Sequence, residues 1–311
     1  MRIVLYAAII ILLLIITAIL LISNKFADMI MHPDAHDEEF LLKEAYDYGR
    51  FTPEFIEGIR KEDFCVRSRY GYDLHGFIMN NDISVKPENS RKVAVLCHGY
   101  TSGKIVMTGY AALLNDLGFT CILYDHRGHG DNSRGVVTTM GFLEREDLKT
   151  ILDYAYERFG SDARVITYGE SMGSATVLSH LEIDDRPVLT IADCGYSDLT
   201  ELCRYLVKDV YHLPVFPIVP LAALKIKLVG KFDIKDVSPK LGVIKAASPI
   251  LFIHGDKDTF VPTYMSKDMV KLGKGVREIY LCPGAEHAQS AALHPDEYRK
   301  KVSEFIEKNY T

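Results

Sequence analysis

The stretch Tyr168-Gly169-Glu170-Ser171-Met172-Gly173-Ser174 (YGESMGS) lies between the β-branched run ARVIT and the helix-prone run ATVLSHLE. A strand therefore turns sharply into a helix around one serine. Such a turn demands backbone torsions that only small neighbours tolerate, and it lifts the serine side chain clear of the sheet. By itself the G-x-S-x-G pattern fits a structural turn as well as a nucleophile. The rest of the chain decides between them.

Outward from this turn the chain alternates. The apolar runs KVAVLC, TCILYD, ARVITY, VLTIAD, PILFIHG and EIYLCPG are separated by segments with helical spacing, such as YAALLNDLG, GFLEREDLKTILDYAYERFG and TYMSKDMVKLG. Continuous apolar strands joined through helices predict an α/β fold with a mainly parallel sheet covered on both faces. DFCVRSR and LHGFIMN, around Tyr70-Gly71-Tyr72-Asp73, predict a hairpin at the sheet edge. The rhythm breaks at about residues 199–247, where CRYLVKDVYHLPVFPIVPLAALKIKLVG predicts a small helical cap. Pro214, Pro217 and Pro220 are expected to interrupt a helix there and to leave Val215, Phe216, Ile218 and Val219 lining a mouth above Ser171, with Phe216 and Ile218 contacting substrate.

A serine hydroxyl is a weak nucleophile until a base takes its proton and a third group fixes the base's tautomer. Candidates stand at later strand ends. PILFIHG runs into Asp256-Lys257-Asp258-Thr259-Phe260-Val261-Pro262, and the last strand is followed by Gly284-Ala285-Glu286-His287. The order is serine, acid, histidine. Asp256, Asp193 and Asp198 are rival acids, and His294 is a rival base. His126, His129 and Asp131 lack companions at metal-ligand spacing and read as a loop at the mouth of the site, not a metal site.

These residues resemble the α/β-hydrolase family over nearly the whole region 63–310. Cys97-His98-Gly99-Tyr100-Thr101 resembles the family's oxyanion loop, Asp125-His126-Arg127-Gly128-His129-Gly130 its D-x-R-G-x-G loop, and His254 to Pro262 its H-G-x-x-D-x-x-V-P signature. Through GESMGSAT, IADCGYSDL and DVSPKL the chain is similar to membrane-anchored bacterial hydrolases of the serine aminopeptidase (S33), monoglyceride-lipase-like branch, many of which are esterases. The resemblance implies Ser171 as nucleophile, His287 as base, Asp258 as acid, and the backbone N–H groups of Tyr100 and Met172 as oxyanion donors. It implies no cofactor. The expected activity is hydrolysis of carboxylic esters of moderate size, a small-molecule ester or amphiphile, with medium acyl chains preferred over acetyl. An aminopeptidase-like amide hydrolase is the rival enzyme, with Glu170 or Glu144 as candidate anchors for a substrate amine. A non-catalytic scaffold with the same fold is the rival of another class. Dehalogenase chemistry would need a carboxylate where Ser171 stands.

Residues 3–23, IVLYAAIIILLLIITAILLIS, form an uncharged apolar run long enough to cross a hydrocarbon layer of about 30 Å as a helix. It exceeds the apolar region of a cleaved signal, and no A-x-A site follows Leu21. The expected organisation is an anchor at 3–23, an acidic linker with a docking helix at 24–60, and the hydrolase domain at 61–311. The slight Lys/Arg bias predicts a single-pass cell-membrane protein with its catalytic domain outside, in contact with the bilayer through the N-terminal helix. A net charge of −6 gives no nucleic-acid surface. The six cysteines contain no CxxC pair and read mostly as buried free thiols, which accords poorly with an oxidising exterior.

Overall fold

A computed structural model describes residues 1–34, 36–80, 91–132 and 135–310. Its eight strands are β1 (Lys61–Arg67), β2 (Asp73–Met79), β3 (Lys92–Cys97), β4 (Thr120–Tyr124), β5 (Arg164–Glu170), β6 (Leu189–Asp193), β7 (Ile250–Gly255) and β8 (Arg277–Cys282). The helices before the elbow are α1 (Arg2–Met31), α2 (Glu38–Asp47), α3 (Pro53–Gly58), α4 (Thr108–Asp116) and α5 (Glu144–Phe159). After it come α6 (Met172–His180), α7 (Leu199–Tyr205), α8 (Val215–Lys225), α9 (Pro239–Lys245), α10 (Tyr264–Met269), α11 (Ser290–Leu293) and α12 (Pro295–Asn309).

The strands form one sheet in the order β1-β2-β4-β3-β5-β6-β7-β8. The β1–β2 and β2–β4 pairs are antiparallel, and every later pair is parallel. This is the α/β-hydrolase arrangement. The register places Cys97 beside Gly169, Glu170 beside Asp193 and Gly255 beside Cys282. The loops after β3, β5, β6, β7 and β8 consequently leave from one edge. Strands such as β4 and β7 are buried along their whole length because helices cover both faces, which is why they read as unbroken apolar runs. Leu114, Phe119, Val302 and Phe305 pack on one face, and Leu148, Ile151, Leu152 and Val177 on the other.

The N-terminal segment departs from the expected anchor and linker. α1 does not stop at Ser23 but continues to Met31. At 1.5 Å per residue its 30 residues span about 45 Å, so it overshoots a hydrocarbon layer of about 30 Å by roughly 15 Å. The most apolar part of the helix is unburied and has the length and composition to cross a membrane. The overshoot is different. Ser23, Phe26, Ala27, Ile30 and Met31 are buried at helical spacing, and the last four join Leu202, Val207, Ile218, Val219, Ala222 and Ile226 in a separate apolar cluster. Burying one such side chain stabilises the packing by about 1.5–3 kcal/mol.

The cap prolines break the cap helix as expected, but they do not turn Phe216 and Ile218 toward Ser171. Phe216 is non-helical (φ −97°, ψ 130°), so the helix proper begins at Pro217, where no N–H donor is needed, and Pro220 lies inside α8. Phe216 points away from the protein, 78% exposed, and Ile218 is 1% exposed within the apolar cluster. Neither borders the space around Ser171. Their assignment as substrate contacts is corrected: α8 spends its apolar face on α1.

Candidate active site

The elbow explains its own glycines. A Cβ on Gly169 would lie 2.2 Å from the Gly173 carbonyl oxygen, and one on Gly173 would lie 2.0 Å from the Cys97 carbonyl oxygen. No side chain fits at either position. Between them Ser171 adopts φ 55° and ψ −114°, strained for a residue with a Cβ. Thr101, Cys194 and Ala288, in the loops after β3, β6 and β8, also have positive φ. Backbone strain thus gathers along the sheet edge that carries the serine.

Ser171 Oγ lies 2.8 Å from His287 Nε2, and His287 Nδ1 lies 2.7 Å from Asp258 Oδ2. The other Asp258 oxygen accepts from the N–H groups of Phe260 (2.9 Å) and Val261 (2.8 Å). Burial opposes the Asp258 charge, yet the hydrogen bonds from the His254 and His287 side chains hold its pKa down at about 2. The carboxylate is ionised across the neutral range, oriented on the imidazole N–H. The rivals are engaged elsewhere. Asp256 accepts from the Gly284 N–H, Asp193 accepts from the Tyr298 hydroxyl, Asp198 caps α7, and His294 contacts the Pro283 carbonyl. Tyr100 and Met172 both border the apolar space at Ser171, and a Cβ on Gly99 would lie 3.4 Å from Ser171 Cβ.

His126, His129 and Asp131 do not sit at the mouth. The two imidazoles are buried beside His98, and burial holds all three well toward the neutral form. His129 Nε2 accepts from the Thr101 N–H at 3.2 Å, and the His98 ring accepts from the His126 N–H at 2.9 Å. The loop after β4 is therefore hydrogen-bonded to the loop after β3 that carries Tyr100 and Thr101. Asp131 pairs with Lys104 at 2.7 Å. Among the described residues, Cys65, Asp73 and His75 have ligand atoms within 4.8 Å of one another, but they stand on the β1–β2 hairpin, away from the serine, and Asp73 pairs with Arg67. All six cysteines are free; Cys65 is exposed and the other five are buried.

Two spaces meet at Ser171. One, about 380 Å³, is polar and is bordered by Glu44, Tyr48, Arg50, Glu286, His287 and Gln289. The other, about 80 Å³, is apolar and is bordered by Phe26, Met29, Ile30, Leu202, Leu206 and Tyr211. Both take walls from the first 50 residues, a contribution that the reading of 24–60 as a linker or docking helix did not include. Arg50 reaches furthest. Its guanidinium lies 2.6 Å from Glu170 Oε2 and 3.2 Å from the Ala288 carbonyl, and the Tyr110 hydroxyl also donates to Glu170. Burial disfavours the Arg50 charge, but Glu170 and Tyr110 keep it firmly protonated. Arg50 thus joins the residue before the serine to the residue after the histidine. Nothing local in the sequence marks it. The α1 wall did leave a signal, the i, i+3, i+4 spacing of Ser23, Phe26, Ala27, Ile30 and Met31.

Neither candidate amine anchor is free. Glu170 is committed to Arg50 and Tyr110, and Glu144 is fully buried, accepting from the Thr139 N–H, the Thr139 hydroxyl and the Gly141 N–H.

The family described as serine aminopeptidase, S33, matches residues 88–192. The uncharacterized protein YqkD of Bacillus subtilis is 31% identical over 293 residues, 94% of both chains, and the uncharacterized protein YfhR of Escherichia coli K12 is 23% identical over 70% of this chain and 71% of its own. Among solved structures, the Pyrococcus furiosus esterase Pf2001 superposes with a TM-score of 0.63 at 20% identity, covering 83% of this chain and 96% of that one. An acylaminoacyl peptidase from Pyrococcus horikoshii gives 0.62 at 18%, covering 82% of this chain and 43% of that one. An elbow serine at the shared edge of an eight-stranded sheet, a full-length relative above 30% identity and the matched family agree: the chain belongs to the serine aminopeptidase S33 family of α/β-hydrolases.

Proposed function

We propose that this protein is a serine hydrolase that cleaves carboxylic esters, held at the cell membrane by α1 with its catalytic domain outside. The observation that carries the reading is the relay of 2.8 Å from Ser171 to His287 and 2.7 Å from His287 to Asp258. His287 Nε2 takes the Ser171 proton as Oγ attacks the ester carbonyl carbon, and Asp258 stabilises the imidazolium. The N–H groups of Tyr100 and Met172 receive the oxyanion, each donor contributing about 2.7–4 kcal/mol. Collapse expels the alcohol, which leaves with the proton from His287. Water, deprotonated by the same histidine, then cleaves the acyl-enzyme to the acid and free Ser171.

The test is turnover of p-nitrophenyl butyrate with labelling by a fluorophosphonate. Ser171→Ala should abolish both, a loss on the order of a millionfold in kcat. A folded Ser171→Ala protein that keeps a few per cent of turnover would overturn the reading. Amide hydrolysis is the second reading, favoured by the matched family's description. With Glu170 and Glu144 engaged, Glu44 and Glu286 are the carboxylates at the polar space that could meet a substrate amine. Aminoacyl p-nitroanilides cleaved faster than the butyryl ester would favour it. The exposed Cys65 tests topology: an impermeant maleimide should label it in intact cells.

A further inference from the structure

The apolar space at Ser171 is walled on one side by Phe26, Met29 and Ile30, all on α1. The same helix, without a break, carries the membrane-crossing run. From Ile22 to Met29 is seven residues, so at 1.5 Å per residue the wall stands about 10 Å beyond the end of the exposed apolar segment. The helix is also clamped at this level. Lys225 Nζ lies 2.6 Å from both Asn24 Oδ1 and Asp28 Oδ1, the Thr138 N–H donates to the Met31 carbonyl at 2.9 Å, and the Tyr100 hydroxyl donates to the Met29 carbonyl. Serine and bilayer are therefore held at a fixed separation, without a flexible tether between them.

The shape of the space adds a second constraint. At about 80 Å³ it holds the volume of roughly three liquid waters, enough for the first few carbons of an acyl chain. Phe26 and Ile30 are buried, whereas Met29 is 43% exposed although it borders the space, so the space meets the surface at Met29. A longer chain attached to Ser171 leaves beside Met29, against the helix that descends into the membrane.

We infer that the last two turns of α1 are the specificity-determining wall of the acyl subsite, and that the substrate is an ester of a single long acyl chain drawn from the bilayer that α1 crosses. The inference rests on the ester-hydrolase reading above. It assigns to the anchor a part in selecting substrate as well as in retaining the domain. Each methylene buried along the wall favours a longer ester roughly fourfold in kcat/KM, if its transfer free energy of about 0.8 kcal/mol is expressed in the transition state.

The test uses the full chain in liposomes. Met29→Trp, which narrows the exit, should lower the palmitoyl-to-butyryl ratio of kcat/KM at least tenfold, whatever it does to the butyryl rate itself. Met29→Ala should not. An unchanged ratio in Met29→Trp overturns the inference. Source is tested separately by placing p-nitrophenyl palmitate in the enzyme's own liposomes or presenting it on albumin. Turnover that follows mole fraction in the bilayer supports delivery along α1, and turnover that follows total concentration alike in both overturns it. A readout independent of rate guards against a misfolded variant. A hexadecyl fluorophosphonate carrying a mid-chain diazirine is attached to Ser171 of the wild-type protein and photolysed. Cross-links within residues 26–30 are expected; cross-links confined to the polar side overturn the inference with the hydrolase reading intact. Failure to label Ser171 at all removes the hydrolase reading, and the inference with it.

Discussion

The two sides of the Ser171 cleft take walls from neighbouring parts of the same N-terminal segment and meet opposite physical demands. On the apolar side Phe26, Met29 and Ile30 are uncharged side chains on a helix, so the wall needs only shape and burial. On the polar side Arg50 brings a buried charge, and it is tolerable only because Glu170, Tyr110 and the Ala288 carbonyl converge on it. A change to the apolar wall alters how much surface a substrate buries, a graded quantity of about 25 cal/mol per Å². A change to the polar wall strands a charge. The first side can be tuned; the second is held all or none.

The contrast is tested most severely where the sides meet. Asp258→Asn is expected to lower kcat by about 10⁴ through the wrong His287 tautomer, equally for short and long esters, with Asp256→Asn within about tenfold of wild type. Asp256 touches the Gly284 N–H, not the imidazole. Steady-state kinetics that rank the two mutants the other way would reassign the acid.

Next is the polar wall. Arg50→Met leaves the Glu170 carboxylate buried with Tyr110 alone, and breaking a buried pair costs about 3–5 kcal/mol. Denaturant unfolding should show a loss of that order. Combining it with Glu170→Gln should recover most of the loss, because no charge is then stranded. A double variant no better than the single would show that the pair does not explain the cost.

A smaller, pH-dependent effect comes from beneath the elbow. Asp193 is fully buried; burial and the nearby Glu170 charge raise its pKa to about 7, against the opposing hydrogen bond from Tyr298. Below about pH 4 the group is protonated in both folded and unfolded chains. Between about pH 4 and 7 the unfolded chain releases the proton first, so this carboxyl's contribution to stability falls as pH rises and levels off above 7. Asp193→Asn should remove that slope. Equal dependence of Tm on pH between 5 and 8 in both proteins would contradict the assignment.

The smallest effect marks the limit of the apolar side. Phe216→Ser should leave the palmitoyl-to-butyryl ratio within twofold of wild type and stability within about 0.5 kcal/mol, because the side chain is 78% exposed and borders neither space. A larger change in the ratio would return the cap to the substrate site.

The sheet and the Ser171, Asp258 and His287 constellation were legible because their signals are local: apolar runs of strand length, glycines that the elbow needs, and turn residues at strand ends. The walls were harder to read. The polar residues Asn24, Lys25 and Asp28 looked like the end of the anchor, yet they occupy the face of α1 opposite its buried stripe or pair with Lys225. Arg50 finds its partners 120 and 238 residues away, a relation with no local pattern. The cap prolines do interrupt the helix at Phe216, but which way the flanking apolar side chains then face is set by packing on α1 and has no local signal.

The unbroken α1 imposes an order on how the protein is made. Asn24 and Lys225 are 201 residues apart, so at roughly 5–20 residues per second the ribosome needs on the order of 10–40 s after making the helix to supply its partner. During that interval the stripe formed by Phe26, Ala27, Ile30 and Met31 lacks the α8 side of its cover, Ile218, Val219, Ala222 and Ile226. The central sheet can assemble from contacts nearer in sequence, while the apolar wall on α1 must wait for the cap. α1 is thus made before the partners it packs against and is fixed in place only after them, so Ser171 is synthesised well before the apolar wall beside it is complete.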